Sequence, residues 1–146
     1  SPENLDWSRI LRVQLSAAIE CDNTPEARAA LAPFAEPRYL HQTRAALDGE
    51  IIGEWPDLAP ALKELPKLPP SALVRTHYHV PLTWEGSGPL RSTRHNLTSG
   101  FISQACNTFC EVETYTYSVI PHALRPSSLE HAIAAELQWA AHRLNR

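Results

Sequence analysis

Only three cysteines, Cys21, Cys106 and Cys110, occur in the 146 residues. An odd number without CxxC spacing indicates neither a disulfide framework nor a structural zinc knuckle, and the expectation is reduced thiols that behave as small apolar side chains. Cationic runs are missing too. Thirteen Lys and Arg against sixteen Asp and Glu give a formal charge of -3. No basic stretch could track a phosphate backbone, which argues against nucleic acid as a partner. No apolar run approaches the roughly 20 residues that span a bilayer. The opening "SPENLDW" lacks the charged-then-apolar pattern of a secretion signal. The expectation is a cytoplasmic protein without membrane insertion. Without export the sequon at Asn96 carries no meaning. No internal sequence repeat occurs.

What is present is the composition of a folded protein, 43% hydrophobic and 20% charged, enough to build a core in one domain over residues 1–146. Thirteen prolines gather in connections such as "LPKLPPS" and "IPHALRPSS", and divide the chain into three units. In the first, Leu11, Val13 and Leu15 alternate with Arg12, Gln14 and Ser16, a strand period. Thr24, Pro25 and Glu26 then read as a helix start, with a hydroxyl cap, proline in the first turn and an acid beside it. A long connection leads to a second helix near Asp57 with Leu58, Ala61, Leu62 and Leu65 on one face.

The second unit begins with "VRTHYHVPLTW", in which Arg75, His77 and His79 share one side of an extended chain and Val74, Thr76, Tyr78 and Val80 the other. The spacing predicts a helix from about Ser92 to Asn107, with Leu97, Phe101 and Ala105 inward. The third unit is "FCEVETYTYSVI", followed by a helix with Ser127 and Glu130 as a capping box and Ile133, Leu137, Ala140 and Leu144 as its apolar stripe.

The order β-α-β-α-β-α predicts parallel strands joined by right-handed helical crossovers. In a doubly wound sheet both strand faces are covered and apolar, whereas here each strand keeps one polar face. A barrel, whose active site sits at its C-terminal rim, accommodates this better. The polar faces carry Arg12, Gln14 and Ser16; Arg75, His77 and His79; and Glu111, Glu113 and Tyr115.

A His-x-His pair on a strand aims two imidazoles to one side, as metal ligands do, and two surface histidines would look the same. Glu111 and Glu113 would need a compensating cation inside a barrel, or are a solvated strand face. Arg94, after the glycine-rich turn, either binds an anionic substrate group or lies on the surface. Arg38, His41 and Arg44 in the long connection contact substrate or hold the loop. Tyr115 and Tyr117 are packing residues, and Cys106 and Cys110 flank a helix-to-strand turn.

The blocks "VRTHYHVPLTWEGSGPLRSTRHNL", "CEVETYTYSVIP" and "IAAELQWA" resemble the C-terminal part of the metabolite-traffic EboE proteins, within the xylose isomerase-like TIM-barrel superfamily. The similarity extends back through "WPDLAPAL", "EPRYLHQTRA" and "RVQLSAAIE". The resemblance implies the last three βα units of a (β/α)8 barrel, with the N-terminal units absent. It implies a divalent metal (Mn, Zn, Fe or Mg) held by His77 or His79 and Glu113, with Glu113 as ligand and catalytic base. Arg75, Gln14 and Arg94 would be substrate contacts. Phe109 and Cys110 stand where relatives tend to have histidine and leucine, and Tyr117 where they have tryptophan.

Two functions follow from the resemblance. One is a metal-dependent isomerase or epimerase acting on a sugar, cyclitol or related polyol, with or without phosphate. The other is a non-catalytic metabolite-binding or assembly module of an export pathway. Three strands cut from a barrel would leave open edges, so the implied partners are the missing barrel units or a second copy of the chain, besides the small polyol.

Overall fold

The computed structural model describes residues 5–113, 120–121 and 128–144. Tyr115, Tyr117 and Ser127 lie outside them. Eight strands are formed among the described residues: β1 (Arg12–Leu15), β2 (Ala17–Asp22), β3 (Thr43–Leu47), β4 (Glu50–Trp55), β5 (Leu73–Val80), β6 (Gly86–Ser87), β7 (Leu90–Ser92) and β8 (Phe109–Val112). The α-helices are α1 (Pro25–Leu31), α2 (Leu58–Glu64), α3 (Ser99–Ala105) and α4 (Leu129–Leu144). No helix among the described residues is long and apolar enough to cross a membrane.

Six strands form one sheet in the order β4-β3-β5-β2-β7-β6, and every pairing within it is antiparallel. The expected barrel of parallel strands is therefore not the architecture. β1 and β8 do pair in parallel, with Arg12 opposite Phe109 and Leu15 opposite Val112, as two neighbours in a barrel would. β5 does not join them: it runs antiparallel to β2, with Arg75 opposite Glu20. The physical reason is that one polar and one apolar face is equally the signature of an antiparallel sheet covered on one side only.

The long connection before α2 holds an unanticipated hairpin. β3 and β4 meet at Asp48 (φ 51°) and Gly49 (φ 88°), the paired left-handed residues of a two-residue turn whose twist matches the strands it joins. This hairpin places β3 beside β5 and puts a non-local strand where the barrel reading expected a crossover.

Alternation on β5 buries Val74, Thr76, Tyr78 and Val80 and turns Arg75, His77 and His79 to the other face. The buried side belongs to one core with Ile19, Ala45, Leu31, Phe34, Leu58, Ala61 and Leu65, so α1 and α2 supply the apolar cover. Their starts follow the sequence signals. Thr24 Oγ1 accepts from Ala27 N–H at 3.1 Å, and Asp57 Oδ1 accepts from Leu58 N–H at 2.8 Å, each satisfying a donor that the first helical turn leaves open. The helix expected over 92–107 is divided into a 3-10 turn, Thr93–Asn96, and α3. Within α4, Glu136 and Ala140 are buried while Leu137 and Leu144 are 48% and 42% exposed, so the expected apolar stripe is only partly its inner face.

Candidate functional site

The outward face of the six-stranded sheet carries a transverse row of charges. Glu54, Arg44, Arg75, Glu20 and Arg91 occupy directly opposed positions on β4, β3, β5, β2 and β7. Such a row forms because residues of equal register on an antiparallel sheet share a face and stand about 5 Å apart. Arg44 Nη2 lies 2.6 Å from Glu54 Oε1. Arg75 Nε donates to Glu20 Oε2 at 2.9 Å. Arg91 donates to Asp22 Oδ1 at 3.0 Å and sits 3.6 Å from Glu20 Oε1. Three arginines thus face three carboxylates. Hydrogen bonding from Arg91 holds the Asp22 carboxyl below the usual range.

Beside this row a cleft of about 450 Å³ lies over the open face of the paired strands β3 and β5, with Ala18 of β2 and Ile51 of β4 at its sides. Ala18, Ala46, Ile51 and Leu73 supply apolar wall; Gln42, Arg44, Arg75 and His77 supply polar groups. His77 N–H donates to Gln42 O at 2.8 Å, so the polar rim stands on paired backbone. A few polar groups set in apolar wall are what a small-ligand site offers. A second concavity, of about 610 Å³, includes Trp7, His95, Asn96, Phe101 and Gln104. His95 Nε2 lies 4.0 Å from Glu20 Oε1, so this concavity adjoins the charged row at Glu20.

His77 and His79 approach with their Nε2 atoms 2.5 Å apart. Burial, then the neighbouring His77 and His41, push the His79 imidazole down to about 4, so it is neutral at ordinary pH. Beneath the pair lies His41, fully buried, with Nε2 3.0 Å from Glu36 Oε1 and Nδ1 3.3 Å from His77 O. Asp57, which caps α2, also accepts from His41 N–H at 2.9 Å. His41 is therefore a framework residue that ties the long connection to β5, whereas Arg44 of the same segment lines the cleft.

The residues implied by the barrel resemblance are divided between two sheets. Arg75, His77 and His79 lie on β5. Glu113 follows β8, its N–H donating to Leu15 O at 3.2 Å. Gln14 is on β1, exposed and opposite Glu111. Arg94 donates to Leu82 O at 2.9 Å and Thr83 O at 3.2 Å, pairs with Glu85 and stacks over Trp139. Its guanidinium secures the β5–β6 connection.

Among the described residues no group of three His, Cys, Asp or Glu side chains is placed to hold a metal ion. Two converging imidazoles fall short of the three protein ligands of a catalytic metal centre, and no chemical step is assigned to a metal here. Glu20, Gln42 and the partners of Arg44 escaped the sequence reading. The "LDGE" turn signal in the long connection is what would have revealed the hairpin that sets Arg44 opposite Glu54.

Comparison with family models, with curated proteins and with solved structures finds no match to this chain. The class that fold and site define is an α/β protein with a one-side-covered antiparallel sheet and a polar cleft on its open face.

Proposed function

We propose that the chain is a non-catalytic binding module that takes a neutral polyol, a sugar or cyclitol, on the open face of the sheet over β3 and β5. The observation that carries this reading is the charge-paired row beside the cleft. Each arginine already has a carboxylate partner, so the surface has little net attraction for a phosphate. It offers fixed guanidinium donors and carboxylate acceptors side by side, which suit the adjacent hydroxyls of a polyol. Ala46, Ile51 and Leu73 offer apolar contact to the ring carbons. The isomerase reading drew its active site from a barrel rim, and the antiparallel sheet removes that premise.

The test is titration of isotope-labelled protein with a panel of neutral sugars and cyclitols and their monophosphates, followed by amide NMR. A neutral polyol should shift amides of β3 and β5 around Arg44, Arg75 and His77, and Arg44→Ala should weaken that binding with the fold intact. Binding confined to the phosphorylated members, or no perturbation by any, would refute the proposal. Exchange of a carbon-bound substrate hydrogen with solvent deuterium would favour an enzyme instead.

A further inference from the structure

α3 is followed by its C-terminal cap Cys106, whose N–H donates to Ile102 O at 2.9 Å. The next two residues turn the chain back: Asn107 N–H donates to Gln104 O at 3.2 Å and Thr108 N–H to Ala105 O at 3.0 Å. β8 starts at once, with Cys110 as its second residue. The turn therefore returns Cys110 to the side of the helix end that carries Cys106. Both cysteines line one cleft of about 140 Å³, and both are only half-buried. Apart from the Glu111 carboxylate the rest of that cleft is apolar, formed by Leu15 and Val112 of the strands and by Leu137, Ala140, Ala141 and Leu144 of α4. Cys21, by contrast, is sealed in the core at 1% exposure.

We propose that Cys106 and Cys110 are a redox pair that closes to an intramolecular disulfide by exchange with a low-molecular-weight disulfide of the glutathione type. The Cys106 thiol gives its proton to solvent and the thiolate attacks one sulfur of oxidised glutathione. A protein–glutathione disulfide forms, and one glutathione leaves as thiolate and takes up a proton. Cys110 then loses its proton, attacks the Cys106 sulfur and displaces the second glutathione. Two thiols are oxidised, one external disulfide is reduced to two thiols, and the account of atoms and electrons closes. Burial, with the Cys106 thiol and the Glu111 carboxylate nearby, pushes the Cys110 thiol up to about 11, so the second step quickens as pH rises towards that value. The bond staples the end of α3 to β8, the strand that pairs with β1.

The experiment incubates the native protein in glutathione buffers of increasing oxidised fraction, followed by thiol counting and peptide mass spectrometry. Free thiols should fall from three to one, with Cys21 the survivor and a Cys106–Cys110 crosslink within one chain. Cys110→Ser should instead retain glutathione on Cys106, because the resolving thiol is gone. Three free thiols throughout, disulfide-linked dimers, or a lasting glutathione adduct on the unaltered protein would overturn the proposal. Circular dichroism of Cys110→Ser separates a failure of chemistry from a failure to fold; if it is misfolded, the thiol count and crosslink on the unaltered protein decide alone.

Discussion

Arg75 Nε donates to Glu20 Oε2 at 2.9 Å across two antiparallel strands, and the partners are unequally placed: the Glu20 side chain is 8% exposed and that of Arg75 50%. The arginine roofs a carboxylate that water barely reaches. Glu20 retains Arg91, 3.6 Å away, and the His95 imidazole at 4.0 Å when Arg75 is removed. Arg75→Ala should therefore destabilise the fold by about 1–2 kcal/mol, less than the loss from a fully buried pair, because Arg91 still offsets the charge. Urea unfolding measures it. Glu20→Gln introduced into Arg75→Ala should recover part of the loss, and strict additivity would show that the two side chains are not coupled.

Asn23 joins three segments. Its Nδ2 donates to Leu65 O at 2.7 Å and to Leu68 O and Pro69 O at 3.2 Å, and its Oδ1 accepts from Arg28 at 3.1 Å. The residue is fully buried, so truncation strands carbonyls that water does not solvate. Asn23→Ala should cost about 2–3 kcal/mol in chemical denaturation. Asn23→Asp should cost more, since a carboxylate would face the same carbonyl oxygens.

Glu136 governs the pH response of α4. It is 5% exposed and accepts from Leu82 N–H at 2.8 Å, and burial outweighs that bond and raises its carboxyl above the ordinary 4.5. A folded-state pKa above the unfolded one means that the folded chain holds the proton more tightly. The stabilisation is full below about 4.5 and is lost as pH rises through the raised value. Glu136→Gln should therefore raise Tm at neutral pH and match the parent near pH 4. Calorimetry across that range checks it, and a Gln variant with lower Tm at pH 7 would contradict the sign.

The imidazole pair on β5 has two donors and no third among the described residues. Added Zn²⁺ should shift the His77 and His79 ring resonances together, and His77→Ala should abolish the response. Glu113→Gln should leave the titration unchanged, because Glu113 belongs with β8 and not with β5. Loss of metal uptake in that variant would restore the carboxylate to the coordination sphere.

How far the sequence carried depends on the range of the interaction concerned. The Thr24 cap and the start of α2 near Asp57 were legible because capping and helical periodicity join residues only a few positions apart. The two faces of β5 were legible because an extended chain alternates its side chains whatever lies beside it. The break between Thr93–Asn96 and α3 was not, since Leu97 and Phe101 pack with the core as they would from one continuous helix.

Strand direction and order belong to the tertiary structure alone. Val74, Tyr78 and Val80 would be buried in a parallel barrel or in an antiparallel sheet, and Arg75 and His77 would face away from the helices in either. What separates the two is backbone pairing between residues far apart in the chain: Arg75 with Glu20 and with Arg44. The local pattern determined which side chains are polar and which way each strand turns them. The β3–β4 hairpin inserted beside β5 decided their neighbours, because hydrogen-bond register between distant segments leaves no mark on the alternation within either one.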